Sequence, residues 1–298
     1  MADVSVVVVT YSPGATLTGF LDSLDLAAAE PVQVVLADNG STDGSVEAAQ
    51  QRDRVTLVAT GGNVGYGAAA NIGVAHTDTE FVVVANPDVV WSKGSLDVLL
   101  EAAHRWPDAG SLGPLIYTND GSIYPSARAL PSLGRGIGHA LCGWWWPSNP
   151  WTAAYRHERS APAEGAVGWL SGSCLLLRRK AFDAVNGFDP AYFMYFEDVD
   201  LGDRLGRAGW QNVYVPAAEV VHTGGHATER DRDRMTVAHH HSAYRYLSTR
   251  YAGARWAPLR LALRAGLEAR SLLARRVAGV AEGAAPQRHS NDRGDQSG

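Results

Sequence analysis

The chain has 298 residues, 46% of them hydrophobic and 19% charged, with a formal net charge of -5. That length buries a sizeable core as one large domain or two joined halves, and the charge excludes a surface built for non-specific nucleic-acid binding. Cys142 and Cys174, the only cysteines, form neither a disulfide framework nor a metal-ligand pattern and read as reduced thiols. The apolar run at residues 4–9 is too short for a secretory core, and no run of about 18 apolar residues is present. The expected setting is therefore the cytoplasm, free or against a membrane surface.

The first hundred residues alternate strand and helix signals. Residues 4–10 form a β-branched run of the kind buried on both faces of a parallel sheet. Residues 16–29 have helical spacing, with Leu17, Phe20, Leu21 and Leu24 on one face. A second strand over 32–37 ends in Asp38-Asn39-Gly40-Ser41-Thr42-Asp43-Gly44, a turn-and-cap sequence that opens a helix at 45–51. A third strand (55–59), a Gly-rich loop, a helix (68–75) and a fourth strand (81–85) follow, the last ending in Asn86-Pro87-Asp88. This alternation predicts an α/β fold with a mostly parallel central sheet flanked by helices.

Beyond residue 110 the texture changes. Residues 119–168 are rich in Gly, Pro and Trp without a period, which suggests a binding surface or lid. Residues 167–178 read as a strand, 199–208 as a helix and 211–215 as a strand. From residue 231 the chain reads as helical, with breaks near Gly253 and Pro258. The tail from 283 is polar and aromatic-free, the composition of disorder. The expected organisation is a nucleotide-binding half (1–110), a catalytic half (111–230), C-terminal helices (231–282) and the tail.

Polar residues gather where the strands end: Thr10 and Tyr11, Asp38 and Asn39, Asn63, Asn86 and Asp88. Ligands of open α/β sheets bind outside those ends. Asp38 could accept from the N3-H of a pyrimidine, or cap the next helix as Ser41 or Asp43 also could. A single carboxylate at Asp88 suits a cation that bridges phosphates and takes few protein ligands. Gly65-Tyr66-Gly67-Ala68-Ala69-Ala70 imitates a dinucleotide fingerprint but follows the third strand. The acidic residue expected after the next strand is replaced by Asn86-Pro87-Asp88, which argues against an oxidoreductase. In Tyr192-Phe193-Met194-Tyr195-Phe196-Glu197-Asp198-Val199-Asp200, three carboxylates follow an aromatic run and precede a helix. A wall that excludes water raises carboxylate basicity, as a general base needs, although capping of the helix is the plainer alternative. His222 could complete a metal site with Asp88.

Taken in order, these segments resemble family 2 of the inverting glycosyltransferases, which have the GT-A fold. Trp169-Leu170-Ser171-Gly172-Ser173, Gly209-Trp210 and Pro216 extend the likeness. Within that family the chain is most similar to bacterial rhamnosyltransferases. The resemblance implies transfer of L-rhamnose from dTDP-rhamnose to a polyprenyl-diphosphate-linked N-acetylglucosamine in cell-wall synthesis. It also implies that Thr10, Tyr11, Asp38, Asn63, Gly65, Asn86 and Asp88 line the nucleotide-sugar site. Asp88 and His222 would hold Mg or Mn, Asp198 would be the base with Glu197 beside it, and Trp169, Gly172 and Asp200 would face the acceptor or sugar. The family's aspartate-x-aspartate pattern is broken here by Asn86.

The C-terminal segment 251–283 carries Arg255, Arg260, Arg264, Arg270, Arg275 and Arg276 against Glu268 and Glu282, with Trp256, Leu259, Leu263 and Leu267 at helical spacing. A basic amphipathic helix of this kind reads as a peripheral anchor on the inner face of the plasma membrane, near a lipid-linked acceptor, or as a packing helix. A nucleotidyltransferase or a bare sugar-nucleotide-binding module is disfavoured by the absent basic Gly-rich signature and the intact Glu197-Asp198-Val199-Asp200. Homo-oligomer formation is left open.

Overall fold

A computed structural model describes residues 3–131, 162–224, 232–258, 260–262 and 264–265. The chain divides into two compact units, Met1–Asp231 and Arg232–Gly298. The first unit is built on one large sheet. Its opening strands are β1 (Val4–Thr10), β2 (Gln33–Asp38), β3 (Val55–Ala59) and β4 (Phe81–Ala85). Then come β5 (Val89–Trp91), β6 (Ala109–Tyr117), β7 (Ile123–Tyr124), β8 (Ala127–Arg128), β9 (Gly165–Val167), β10 (Trp169–Leu170), β11 (Cys174–Arg178) and β12 (Gln211–His222). The strand order is β3-β2-β1-β4-β11-β6-β12-β5, with β7 beside β6 and β9 beside β12, while β8 and β10 form a separate ribbon.

The sheet is parallel from β3 through β4. It turns antiparallel where β11 joins β4 and β6, returns to parallel between β6 and β12, and ends with β5 antiparallel to β12. The expected "mostly parallel" arrangement therefore holds for the N-terminal strands and for the β6–β12 pair, and the whole sheet is mixed. The reason is that β11 arrives after a long excursion and enters between β4 and β6 from the opposite direction.

Helices cover both faces: α1 (Ala15–Ala27), α2 (Ser45–Ala49), α3 (Tyr66–Val74), α4 (Ser95–Arg105), α5 (Arg179–Ala184) and α6 (Glu197–Arg207). Strand side chains alternate between two cores. Val6, Val8, Val34, Leu36 and Val83 pack with Leu17, Phe20, Leu21, Leu96 and Leu99 of α1 and α4. Val7, Val9, Val35, Val82 and Val84 pack with Ala69, Ala70, Phe182, Leu201 and Leu205 of α3, α5 and α6. Burial on both faces is why β1, with all seven residues buried, carries no polar alternation.

The stretch 167–178 is not one strand. It breaks into β9, β10 and β11, with Leu170 pairing Ala127 and Trp169 pairing Arg128. Ser171 N-H donates to Ser126 O at 2.7 Å. The pairing partners lie some 40 residues away, so the excursion steers this segment rather than its own propensity.

In the second unit, α7 (Arg232–Arg250) is followed by a short 3-10 turn at Ala254–Trp256. The expected break near Gly253 falls between them, and Arg260 donates to Tyr251 O at 2.6 Å and Gly253 O at 2.9 Å. Trp144-Trp145-Trp146, most of the proposed basic amphipathic stretch and the polar tail lie outside the described residues. Among the described residues no helix is long and apolar enough to cross a membrane.

Candidate active site

The C-terminal ends of β1, β2 and β4 open on one edge of the sheet, as a parallel arrangement requires. Thr10 is fully buried, and its hydroxyl donates to Asp38 Oδ1 at 2.8 Å. Asp38 also accepts from Gly40 N-H at 3.1 Å, Ser41 N-H at 3.0 Å and the Ser41 hydroxyl at 2.5 Å. The carboxylate thus closes its own turn, and a base reaching it must displace one of these donors. Thr10 thereby helps to hold the Asp38 carboxylate in place. Tyr11, one residue on, is 52% exposed at the rim.

Asn63 accepts from Gly65 N-H at 3.2 Å and shapes the loop that leads into α3. Gly65, expected to line the nucleotide-sugar site, has a positive φ of +91° and packs against another stretch of chain: an added Cβ would stand 2.3 Å from Phe193 O. Tyr66 N-H donates to that same carbonyl at 3.0 Å. The glycine loop is therefore fastened to the aromatic segment that precedes Glu197.

The corner beyond β4 joins three candidate residues. His222, at the end of β12 and opposite Val89, places Nε2 3.1 Å from Asp88 Oδ1 and 3.2 Å from the side-chain amide of Asn86. Thr223 donates to Asp88 O from both its N-H and its hydroxyl, each at 3.0 Å, which fixes the turn. Two cis ligands of a six-coordinate ion with bonds of about 2.1 Å stand about 3.0 Å apart, so the Asp88–His222 spacing fits a divalent cation whose other positions go to phosphate and water. Among the described residues no cluster of three or more His, Cys, Asp or Glu side chains forms a complete metal cage. A site that shares its cation with a diphosphate needs none.

Helix α6 starts at Glu197 after Tyr195 and Phe196, both left-handed at φ 68° and 67°. Two consecutive non-glycine residues in that region cost on the order of 1–3 kcal/mol each and persist only where surrounding contacts over-determine them. The result aims the first turn of α6 at Gly172. Asp198 Oδ2 accepts from Gly172 N-H at 2.9 Å, and Oδ1 from Val199 N-H at 2.8 Å. Gly172 O in turn accepts from the Tyr66 hydroxyl at 2.6 Å. Asn86 N-H donates to Ser173 O at 2.9 Å, so the Asp88–His222 corner and the carboxylate corner share one short backbone link.

The two adjacent carboxyls differ. Glu197 is buried, its Oε2 lacks a partner among the described residues, and its pKa is pushed up to about 8, mainly by burial and then by the neighbouring Asp198. Burial also raises Asp198, but hydrogen bonds from Gly172 and Val199 and the nearby Arg128 charge pull the other way. The two backbone donors and the Arg128 charge favour the ionised form of Asp198, whereas burial and the neighbouring carboxylate favour the protonated form of Glu197. Asp200, expected to face the acceptor or sugar, is buried at the start of α6. Its Oδ2 accepts from Arg204 Nε at 2.7 Å, and Arg204 Nη1 reaches the carbonyls of Val185 and Gly187 at 2.6 and 2.7 Å. That network braces α6 against the preceding turn.

Trp169 lies on α6, where a Cβ on Gly202 would come within 2.7 Å of the tryptophan Cβ. Its Nε1 is buried without a partner among the described residues. Residues to which sequence reasoning gave no site role lie beside these carboxylates. Tyr66 lies within electrostatic reach of Glu197, Asp198 and Asp88, and burial with these charges drives its pKa well above the ordinary tyrosine value. Asn71 brackets Phe188 by accepting from its N-H at 2.9 Å and donating to its carbonyl at 2.8 Å. Arg128 falls in the aperiodic stretch, where sequence carried no signal for it.

Comparisons with known proteins agree with this geometry. The model of Glycosyl transferase family 2 matches residues 5–185, and that of Glycosyl transferase family group 2 matches residues 151–275. The chain is 57% identical to the N-acetylglucosaminyl-diphospho-decaprenol L-rhamnosyltransferase of Mycobacterium tuberculosis, over 92% of this chain and 93% of that protein. It is 30% identical to the rhamnosyltransferase WbbL of Escherichia coli, over 63% of this chain and 72% of that protein. Among solved structures, the mannosyltransferase PcManGT from Pyrobaculum calidifontis, in complex with GDP-Man and Mn2+, superposes with a TM-score of 0.57 at 17% identity. That likeness covers 95% of this chain and 76% of the mannosyltransferase. A family model spanning more than half the sequence, together with a near-full-length relative of high identity, makes this chain a member of glycosyl transferase family 2.

Proposed function

We propose that this enzyme transfers L-rhamnose from dTDP-rhamnose to a N-acetylglucosamine carried on a polyprenyl diphosphate, with inversion, in the assembly of a cell-wall polymer. The observation that carries the reading is the 57% identity, sustained over 92% of the chain, to a decaprenol-linked rhamnosyltransferase.

The chemistry is a single displacement. Asp198, held by two backbone N-H groups and ionised, takes the proton from the acceptor hydroxyl. The acceptor oxygen bonds to the anomeric carbon as the bond to the donor phosphate breaks, and dTDP leaves on the opposite face. Neutral Glu197 keeps the corner from presenting two negative charges to the incoming oxygen. Tyr66 and Gly172 fix the position of Asp198. Asp88 and His222 would hold a divalent cation, Mg or Mn, against the donor diphosphate. When bound, that cation neutralises charge growing on the leaving group. The thymine lies by Tyr11 and Asp38, and Trp169 borders the sugar.

The setting follows from the acceptor. A polyprenyl substrate stays in the bilayer, so the enzyme works on the cytoplasmic face of the plasma membrane as a peripheral protein. The arginine-rich segment 251–283 is the anchor, since its Leu and Trp residues recur at helical spacing among the basic residues.

Incubation with dTDP-rhamnose, UDP-galactose or UDP-glucose and a synthetic N-acetylglucosaminyl diphosphate lipid tests the reading. Free dTDP and a rhamnosylated lipid are expected from the first donor alone, with loss on chelation and recovery on adding Mn or Mg. Transfer from a UDP-sugar in preference to dTDP-rhamnose would overturn the donor assignment.

A further inference from the structure

We propose that Arg128 is the anion subsite for the diphosphate of the lipid-linked acceptor. The proposal deepens the functional reading above and rests on its acceptor.

Three observations converge on this residue. The first is its placement. Arg128 and Trp169 are directly paired across the β8–β10 ribbon, and Leu170 pairs with Ala127. Two residues beyond Leu170 lies Gly172, whose N-H holds Asp198. The ribbon therefore carries Arg128 on the segment hydrogen-bonded to the one that orients the base, and Asp198 feels the guanidinium charge.

The second is its preorganisation. The guanidinium carbon stands 5.7 Å from the Trp169 ring and 5.9 Å from the Tyr124 ring, a cation held between two aromatic faces. Its Nε donates to Pro125 O at 2.7 Å, the guanidinium's only hydrogen bond among the described residues. The tether uses the inner nitrogen and leaves both terminal amino groups, on an exposed side chain, for an oxyanion. That fork is the geometry that binds phosphate oxygens in pairs.

The third is charge balance. The donor diphosphate would find its counter-charge in a divalent cation held by Asp88 and His222. The acceptor brings a second diphosphate, one sugar ring away from the hydroxyl that meets Asp198. Without a cation there, two phosphates would approach a corner that already holds an ionised carboxylate, and association would be opposed. Arg204, another arginine among the described residues, is committed to Asp200 and two carbonyls.

Two synthetic acceptors separate this role from any effect on the base: N-acetylglucosaminyl diphosphate on a citronellyl chain, and octyl N-acetylglucosaminide, which lacks phosphate. Any change in Asp198 basicity acts on both and cancels in their ratio. Arg128→Gln is expected to lower kcat/KM for the diphosphate acceptor about 10- to 100-fold relative to the octyl acceptor, the effect of losing a charge-assisted contact. The donor KM stays constant, and Arg128→Lys recovers part of the loss. Equal losses on both acceptors, or a change confined to the donor KM, would overturn the proposal. Wild-type enzyme that rhamnosylates neither acceptor would refute the functional reading instead. Tryptophan quenching by citronellyl diphosphate alone then judges the subsite: binding that Arg128→Gln abolishes supports it, and binding that survives the substitution refutes it.

Discussion

Glu197 and Asp198 are neighbours in sequence and in space, yet one meets an orphaned burial and the other a pair of backbone donors. Activity needs Asp198 ionised and Glu197 protonated, so the pH profile of kcat should be a bell. Its acid limb lies above the usual aspartate range, and its alkaline limb lies near 8, the value to which Glu197 is pushed. Glu197→Gln, always neutral, should keep activity at pH 7 and lose the alkaline limb. An alkaline limb near 8 in that variant would assign it to another group. The same shift has a stability consequence. Glu197 has a folded pKa above its unfolded one, so the folded state binds the extra proton between about 4.5 and 8. Its contribution is complete below the unfolded value and disappears as pH rises through 8. Glu197→Gln should therefore be more stable than wild type at pH 8.5, by on the order of a few kcal/mol, and little different at pH 4. Thermal melts at the two pH values check this.

At the scale of elements, the site depends on loops fastened to one another across long sequence separations. Gly65 and Phe193 are the tightest example, and Gly62 is the control in the same loop. Gly65→Ala drives a Cβ to 2.3 Å from a backbone oxygen, whereas a Cβ on Gly62, also at positive φ, meets nothing within 4 Å. Denaturant unfolding should show Gly62→Ala costing about 1 kcal/mol and Gly65→Ala at least about 3 kcal/mol. Equal costs would mean that the aromatic loop yields easily. This contact also marks where sequence reading ran out. The glycine run was legible as a tight loop, but its partner lay more than a hundred residues away and suggested a phosphate instead. Nothing in Tyr195-Phe196 announces two left-handed residues, because local preference favours glycine there. Asp38, Asp88, Glu197, Asp198 and His222 were legible as candidates, since each has a plain reading as a cap or turn residue but together they cluster in an order that turn chemistry alone explains poorly. Arg128 and Tyr66 were not, because their importance arises from the β8–β10 ribbon and the packing of α3.

Across the whole molecule, the strands β1, β2 and β4 were readable because burial on both faces leaves a nearly unbroken apolar signature. The antiparallel entry of β11 and the pairing of β12 with β5 were not, since these orders are fixed by tertiary packing. The division at residue 231 suggests a functional partition. A chain of residues 1–231 should fold and bind dTDP-rhamnose with wild-type affinity, and should fail to float with anionic liposomes that carry the full chain. Flotation of the shortened chain would move the membrane contact into the first unit.

The central claim is that a donor held at the Asp88 corner is attacked by an oxygen deprotonated at Asp198. Asp198→Asn preserves shape and removes the base, so its donor affinity by calorimetry should equal wild type while rhamnosyl transfer to the diphosphate lipid falls at least about 1,000-fold. Transfer by Asp198→Asn within tenfold of wild type, with donor binding intact, would contradict the account.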